Sequence, residues 1–219
     1  MEIHNIDLKT TGLALASVLF IEWGAHVISH CVALNPMLIL GAARCLEIAA
    51  LTGMIHLFGD QAIRSIGLCR EHMLAGLKIG MLWSLGFGFL VGSVYGILVT
   101  AGVNPLLLMK AHLPSKRNEI LLFFIVGAVV SPVAEEIFFR GILYGFFRKW
   151  GFWLAISAST ILFALAHQAS SNGIPVTQII GGVLFAVAYE KEKNLVVPMV
   201  IHILGNLAIF TVSLISLHA

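Results

Sequence analysis

Between Ser131 and Trp150 the chain reads SPVAEEIFFRGILYGFFRKW, with adjacent carboxylates at Glu135 and Glu136 and a guanidinium at Arg140. No charged residue lies between Glu119 and Glu135. A charge deep in an apolar helix costs roughly 2.5–3.5 kcal/mol on insertion scales, so it is rarely incidental. Glu136 and Arg140 are four apart and pair along one helical face. Glu135 is turned by about 100° from its neighbour and faces elsewhere. One carboxylate is then held while the other is free for chemistry. The plainer reading is a buried salt bridge that only locks two helices. The second carboxylate and the histidines downstream tip the balance toward function.

Those histidines are His167 and His202, with Asn206 one turn after the second. A hairpin turning at Gly151 brings Glu135 and His167 to one depth, because each is 16 residues from the turn. That is about 24 Å of straight helix. His202 enters from the last helix, about 15 Å in, and helix tilt closes the gap. Asn206 lies nearer the level of Glu135. A carboxylate in low dielectric acts as general base on water, and a neutral imidazole shares that water or shuttles its proton. A second imidazole and an amide donate hydrogen bonds to a developing oxyanion. These are the parts of a peptide-bond hydrolase with no covalent nucleophile; Ser131 is one turn from Glu135, but no base for it is indicated. Glu135, His167 and His202 are equally a zinc ligand set, so both chemistries stay open on the residues alone.

The elements that must carry these groups are membrane helices. Of the 219 residues 59% are hydrophobic and only 11% charged, with mean hydropathy +0.97; a soluble domain carries about 25% charged residues. Backbone polar groups cannot face lipid bare, and these apolar runs are continuous rather than alternating, which excludes a transmembrane barrel. The expected fold is an all-α polytopic helical bundle in one integral membrane domain, residues 1–219. About seven spans are expected: 11–34, 36–58, 73–102, 119–150, 152–168, 176–189 and 195–217. An eighth piece is possible at 105–113, too short to span and suited to re-entry or the interface. Residues 1–118 form a variable scaffold half and 119–217 a catalytic half. Pro132 is the expected kink of the long fourth span.

Smaller features divide similarly. Glu22, His26 and His30 share one face of the first span and read as a polar seam in preference to a metal or proton site. Arg44 and Glu47 form a paired patch, with Glu22 as a further partner for Arg44. The glycine pairs 76–80, 88–92 and 92–96 read as close packing within the bundle. Residues 190–193, EKEK, read as a solvated charge run. Cys31, Cys45 and Cys69 lack zinc-knuckle or CxxC spacing and read as packing residues. No cleavable signal is expected, since the first apolar run is long enough to span. Seven spans put Lys9, Arg64, Arg70, Arg148, Lys149, Lys191 and Lys193 on one side, against Lys110, Lys116 and Arg117 on the other. The positive-inside rule then puts the amino terminus in the cytoplasm. The net charge of +2 gives no reason to expect nucleic acid as a partner.

The ordered motifs E-E-x-x-x-R, F-x-x-x-H and H-x-x-x-N in a polytopic chain resemble the CPBP family, the CAAX proteases and bacteriocin-processing enzymes that include the Ras-converting CAAX endopeptidase. Glu135, Glu136 and Arg140 match the first motif, Phe163 and His167 the second, His202 and Asn206 the third. The resemblance covers roughly the last hundred residues. It implies an intramembrane endopeptidase acting on a membrane-associated peptide or protein, in a cavity open to one face. It implies that Glu135 and His167 activate water, that His202 and Asn206 form the oxyanion hole, and that Glu136 and Arg140 orient Glu135. It implies no cofactor, with zinc as the alternative because family members have been called metalloproteases. The chain's brevity suggests a bacterial cytoplasmic membrane, where prenylated CAAX proteins are poor candidates as substrates. The rival classes are a proton-coupled transporter, which predicts inverted repeats that the sequence lacks, and a non-catalytic immunity or peptide-binding protein. A Glu135→Gln substitution separates them: only a protease loses processing while it keeps its fold.

Overall fold

The computed structural model describes residues 6–57, 64, 66–105, 111–168 and 174–218, with side chains to 216. Among these described residues seven long helical stretches follow one another: α1 (Leu8–Cys31), α2 (Pro36–Leu57), α3 (Met73–Thr100), α4 (Arg117–Trp150), α5 (Phe152–Gln168), α6 (Val176–Glu192) and α7 (Val196–His218). Among the described residues every regular element is helical. Five of the seven are long and apolar enough to cross a membrane: α1, α2, α4, α7, and α3 with the 3-10 turn Arg70–His72 before it. α5 and α6 have 17 residues each. The possible eighth piece, 105–113, and the turn expected at 169–175 lie mostly outside the described residues.

Local signals set the helix ends. Asp7 caps α1: its Oδ1 accepts from the Thr10 amide at 2.8 Å. The Asp7 carboxyl is held below its usual range, first by the Thr10 hydrogen bonds. Asn35 Oδ1 accepts from the Met37 amide at 2.8 Å, and Pro36 opens α2, where its missing N–H costs nothing.

α4 is the hub. It packs against α1, α2, α5, α6 and α7, while α3 leans on α7 from outside. It is also irregular. Two π-helical stretches, Val126–Val130 and Ile137–Tyr144, flank a short α segment, Ser131–Glu136. Where a single kink at Pro132 is expected, α4 has a widened turn on either side of the segment that Pro132 opens. Pro132 has no N–H to donate and sits in the first turn after the earlier one. A π turn shifts the phase of the side chains, so counting 100° per residue gathers error along α4, while the short segment that carries Glu135 and Glu136 keeps it and the Glu136–Arg140 pair still forms. Such turns occur often at functional sites.

The small-residue pattern of α3 divides in two. A Cβ at Gly76 would come within 2.6 Å of the Asn194 side chain, and one at Gly80 within 2.7 Å of Val200 Cβ. Gly86, Gly88, Gly92 and Gly96 meet nothing within 4 Å. Close packing therefore holds for the 76–80 pair and fails for 88–92 and 92–96, because α3 touches the bundle mainly along its first half. The EKEK run is likewise not simply solvated. Glu190 accepts from Tyr144 at 2.6 Å and from Arg148, and lies 2.7 Å from Lys193; Glu192 accepts from the Trp83 indole at 3.0 Å. The stretch 66–72 is fastened to the α6–α7 corner. Tyr189 donates to the Ile66 carbonyl at 3.0 Å, Leu195 N to Gly67 O at 3.2 Å, and Asn194 Nδ2 to His72 O at 2.9 Å. Gly67 is at φ +77, where a Cβ would meet Lys193 O at 2.6 Å.

Candidate active site

α4, α5 and α7 bring Glu135, His167 and His202 together. Glu135 Oε2 is 3.7 Å from His167 Nε2 and 3.8 Å from His202 Nε2. Both gaps are too long for a direct hydrogen bond. The other nitrogen of each ring is already used. His167 Nδ1 lies 2.8 Å from the Phe163 carbonyl, and His202 Nδ1 lies 2.8 Å from Glu136 Oε1. As Nδ1–H donors both rings present Nε2 to Glu135, and the acceptor on Nδ1 selects that tautomer. The depth gap for His202 is closed, since its ring spans both carboxylates.

The two carboxylates part as their spacing predicts. Glu136 and Arg140 are fully buried, and Arg140 Nη1 donates to Glu136 Oε1 at 3.0 Å. That one oxygen serves both Arg140 and His202. Glu135 is partly open, with 12% of its side chain exposed, and His167 has 27%. The open groups are therefore those not tied to Arg140. A charge pair sealed this deeply is stable only with good geometry and supporting contacts. Arg140 has them: Nη2 donates to the Gly182 carbonyl at 3.3 Å, and its guanidinium lies 4.6 Å from the Phe163 ring centre and 5.1 Å from that of Phe185.

Phe163 thus does more than fill the motif. Its carbonyl orients His167, and its ring lies under Arg140 and 4.5 Å from the His167 ring. Phe185 was not singled out in the sequence. It stacks on His202 at 4.5 Å and 22°, and with the Nδ1 hydrogen bond it fixes that ring. The Gly181-Gly182 pair just before it was the available signal. At Gly182 α6 comes so close to α5 that a Cβ would lie 2.9 Å from Thr160 Cγ2. Asn206 stands one turn past His202, and its Nδ2 donates to the Gly127 carbonyl at 3.0 Å, in the first π turn of α4. That bond ties α7 to the widened part of α4.

Outside this cluster, Arg44 is paired with both Glu47 and Glu22, the latter at 2.7 Å. His26 and His30 do not join them. They are exposed, with their rings 4.6 Å apart, so the polar seam expected of that face is confined to Glu22. An exposed helix face puts the two rings away from the α1–α2 contact. Cys69, Glu71 and His72 bring ligand atoms within 4.8 Å of one another.

The family model for type II CAAX prenyl endopeptidase Rce1-like proteins matches residues 117–208, which contain all the motif residues. The membrane-embedded CAAX protease MroQ of Staphylococcus aureus is 30% identical over 141 residues, 61% of this chain and 53% of that protein. The putative membrane peptidase YdiL of Bacillus subtilis is 33% identical over 86 residues, 39% of this chain and 34% of that protein. An uncharacterized 24.3 kDa protein of Escherichia coli is 28% identical over 136 residues, 57% and 63% of the two chains. The matched region thus spans between a third and two thirds of each relative. No solved structure matches the chain. Through residues 117–208, which bear the three motifs on helices that close around Glu135, this chain is similar to the Rce1-like type II CAAX prenyl endopeptidases and to the membrane peptidases named above.

Proposed function

We propose that the protein is an intramembrane endopeptidase that cleaves a membrane-associated peptide or protein with water activated by Glu135. The observation that carries this reading is the placement of Glu135. It stands 3.7 and 3.8 Å from two imidazole nitrogens, while Glu136 is already engaged by Arg140 and His202. One water set beside the three atoms, on their open side, can touch them all. Glu135 takes its proton as the oxygen attacks the scissile carbonyl, and His167, the more open ring, relays that proton to the leaving amine. His202 turns Nε2 toward the same space and, when protonated, donates to the oxyanion that forms. Asn206 is the second donor in this reading. Its Nδ2 carries two hydrogens, of which the Gly127 carbonyl takes one. Phe185, Glu136 and Arg140 hold His202 in place.

The test compares membrane-protein fragments from cells carrying the wild type or Glu135→Gln. Fragments that vanish with the substitution, at unchanged protein level and melting, support cleavage. An unaltered fragment pattern overturns it and favours a peptide-binding or transport role.

The zinc reading has one observation on its side. Glu135, His167 and His202 offer one carboxylate and two Nε2 atoms, and both histidines carry an acceptor on Nδ1, as zinc-binding histidines do. The donor set therefore fits zinc, which would polarise the scissile carbonyl and acidify a bound water. Glu135 would then be a ligand, and the neighbouring carboxylate, Glu136, is tied to Arg140 and His202 and not free to act as base. The non-metal reading leaves every group one task. It predicts activity that survives strong chelators. Metal analysis belongs in a Cys69→Ser background, because the Cys69, Glu71 and His72 cluster can hold an ion of its own. One zinc per chain in that background, with activity lost on removal and restored by zinc, reverses the choice. The positive-inside expectation of a cytoplasmic amino terminus is part of this proposal, and labelling of a cysteine introduced beside Lys193 tests it from each side of the membrane.

A further inference from the structure

Just before α3 the chain sets a thiol, a carboxylate and an imidazole side by side, and the catalytic cluster uses none of them. Cys69, Glu71 and His72 bring one ligand atom each within 4.8 Å of one another. Cys69 is buried, while Glu71 and His72 are exposed. Cysteine spacing alone makes Cys69 a packing residue, but a ligand set of mixed type needs no second cysteine.

The backbone that carries the three groups is held in place without an ion. The turn Arg70–His72 closes as the His72 amide donates to the Cys69 carbonyl at 3.0 Å. The Asn194 side chain, the Leu195 amide and the Tyr189 hydroxyl then bind the carbonyls of His72, Gly67 and Ile66. Such preorganisation lowers the entropy lost when ligands are collected. The side chains already lean together: Cys69 Sγ donates to Glu71 Oε2 at 3.5 Å. The other oxygen, Glu71 Oε1, lies 3.4 Å from Arg64 Nη2. Both partners of that pair are more than 60% exposed, so it competes weakly for the carboxylate. Arg70, between the ligands in sequence, is exposed as well, and water and salt screen its charge.

A thiolate with an imidazole selects zinc over magnesium or calcium, which take oxygen ligands. Zinc bonds of about 2.0–2.3 Å draw the ligand atoms closer than they stand, and the exposed side chains of Glu71 and His72 are free to swing inward. Three protein groups and one water complete a tetrahedron. We propose that Cys69, Glu71 and His72 hold a zinc ion at the exposed start of α3, apart from the Glu135 cluster, and that the ion locks the turn that clasps the α6–α7 corner. On binding, the thiol proton passes to water, a zinc–sulfur bond forms and no electrons change hands.

The experiment titrates cobalt(II) into the tag-free protein in lipid nanodiscs. Cobalt bound to a thiolate gives a near-ultraviolet charge-transfer band, which a carboxylate with two imidazoles, as at Glu135, cannot give. The band is expected to saturate at about one cobalt per chain and to vanish on addition of zinc. It should persist in Glu135→Gln and in a Cys31→Ser, Cys45→Ser double variant, and be absent from Cys69→Ser. His72→Gln, a change at an exposed side chain, should weaken cobalt binding at least about 10-fold, the loss that even the groups behind a metal ligand cause. Zinc should raise the melting temperature of the wild type and leave that of Cys69→Ser unchanged. No band in the wild type, a band kept by Cys69→Ser, or unchanged affinity in His72→Gln overturns the site; if Cys69→Ser fails to fold, His72→Gln decides. A band with no rise in melting overturns the locking role.

Discussion

α3 and α4 are both long and both apolar, with mean window hydropathies of 1.8 and 2.1, yet α3 has none of its apolar window buried and α4 has 39%. Hydropathy places a helix in the membrane and does not say whether it meets lipid or protein, because lipid tails are as apolar as leucine. What separates the two is what an apolar helix carries besides. α3 has one exposed charge, Lys78, near its start, whereas α4 has Glu135, Glu136 and Arg140 along its middle. Those groups cannot face lipid, so α4 must be surrounded. The five helices packed on it supply what they need: imidazoles, a carbonyl and aromatic faces.

Substitutions on the two helices sharpen or break this contrast. The largest effect is expected at Glu135: Glu135→Gln should lower cleavage about 10²–10⁴-fold, the usual worth of a general base, with unchanged thermal melting in detergent. Next, Arg140→Ala should cost about 3–5 kcal/mol, as expected for one partner removed from a buried pair. Lys78→Ala on α3 should leave the melting curve alone. Equal effects of the two would show that α4 is not the hub. Third, the glycines of α3 should differ among themselves. Gly80→Leu drives a side chain into Val200 and should cost about 1–3 kcal/mol, while Gly92→Leu, which meets nothing within 4 Å, should fall within about 0.5 kcal/mol of wild type. Chemical or thermal unfolding in detergent reads both.

The smallest effect is a pH dependence at the charged end of α6, beyond its apolar part. Burial works to raise the Glu190 carboxyl, but hydrogen bonds from Arg148, Lys193 and Tyr144 outweigh it and bring it from 4.5 down to about 2. A group depressed in the folded state stabilises fully above its unfolded value. That contribution should therefore decline as the pH falls below 4.5 and be gone below about 2. Glu190→Gln should lack this part of the acid dependence of melting, and an identical slope in both proteins would show that the clasp to α4 contributes nothing.

Much of the site was legible because helical periodicity is rigid. Four residues from Glu136 to Arg140 make one face, and 16 residues either side of Gly151 make one depth, so the Glu136–Arg140 pair and the meeting of Glu135 with His167 follow from counting. Composition alone required an all-helical membrane bundle, since no other arrangement hides its backbone from lipid once barrels are excluded. Counting could not say which helix lies beside which. Phe185 stacked on His202 and Asn206 bonded to Gly127 each join side chains of different helices. Nor could it show that Glu190 and Glu192 are bound, because a charge run reads alike in water and against Tyr144 or Trp83. Periodicity is a property of one helix, and which faces meet depends on how all seven pack. The sequence by itself therefore determined the helices, the depth of their polar groups and the separate faces of Glu135 and Glu136, while the tertiary structure decided which side chains surround each carboxylate.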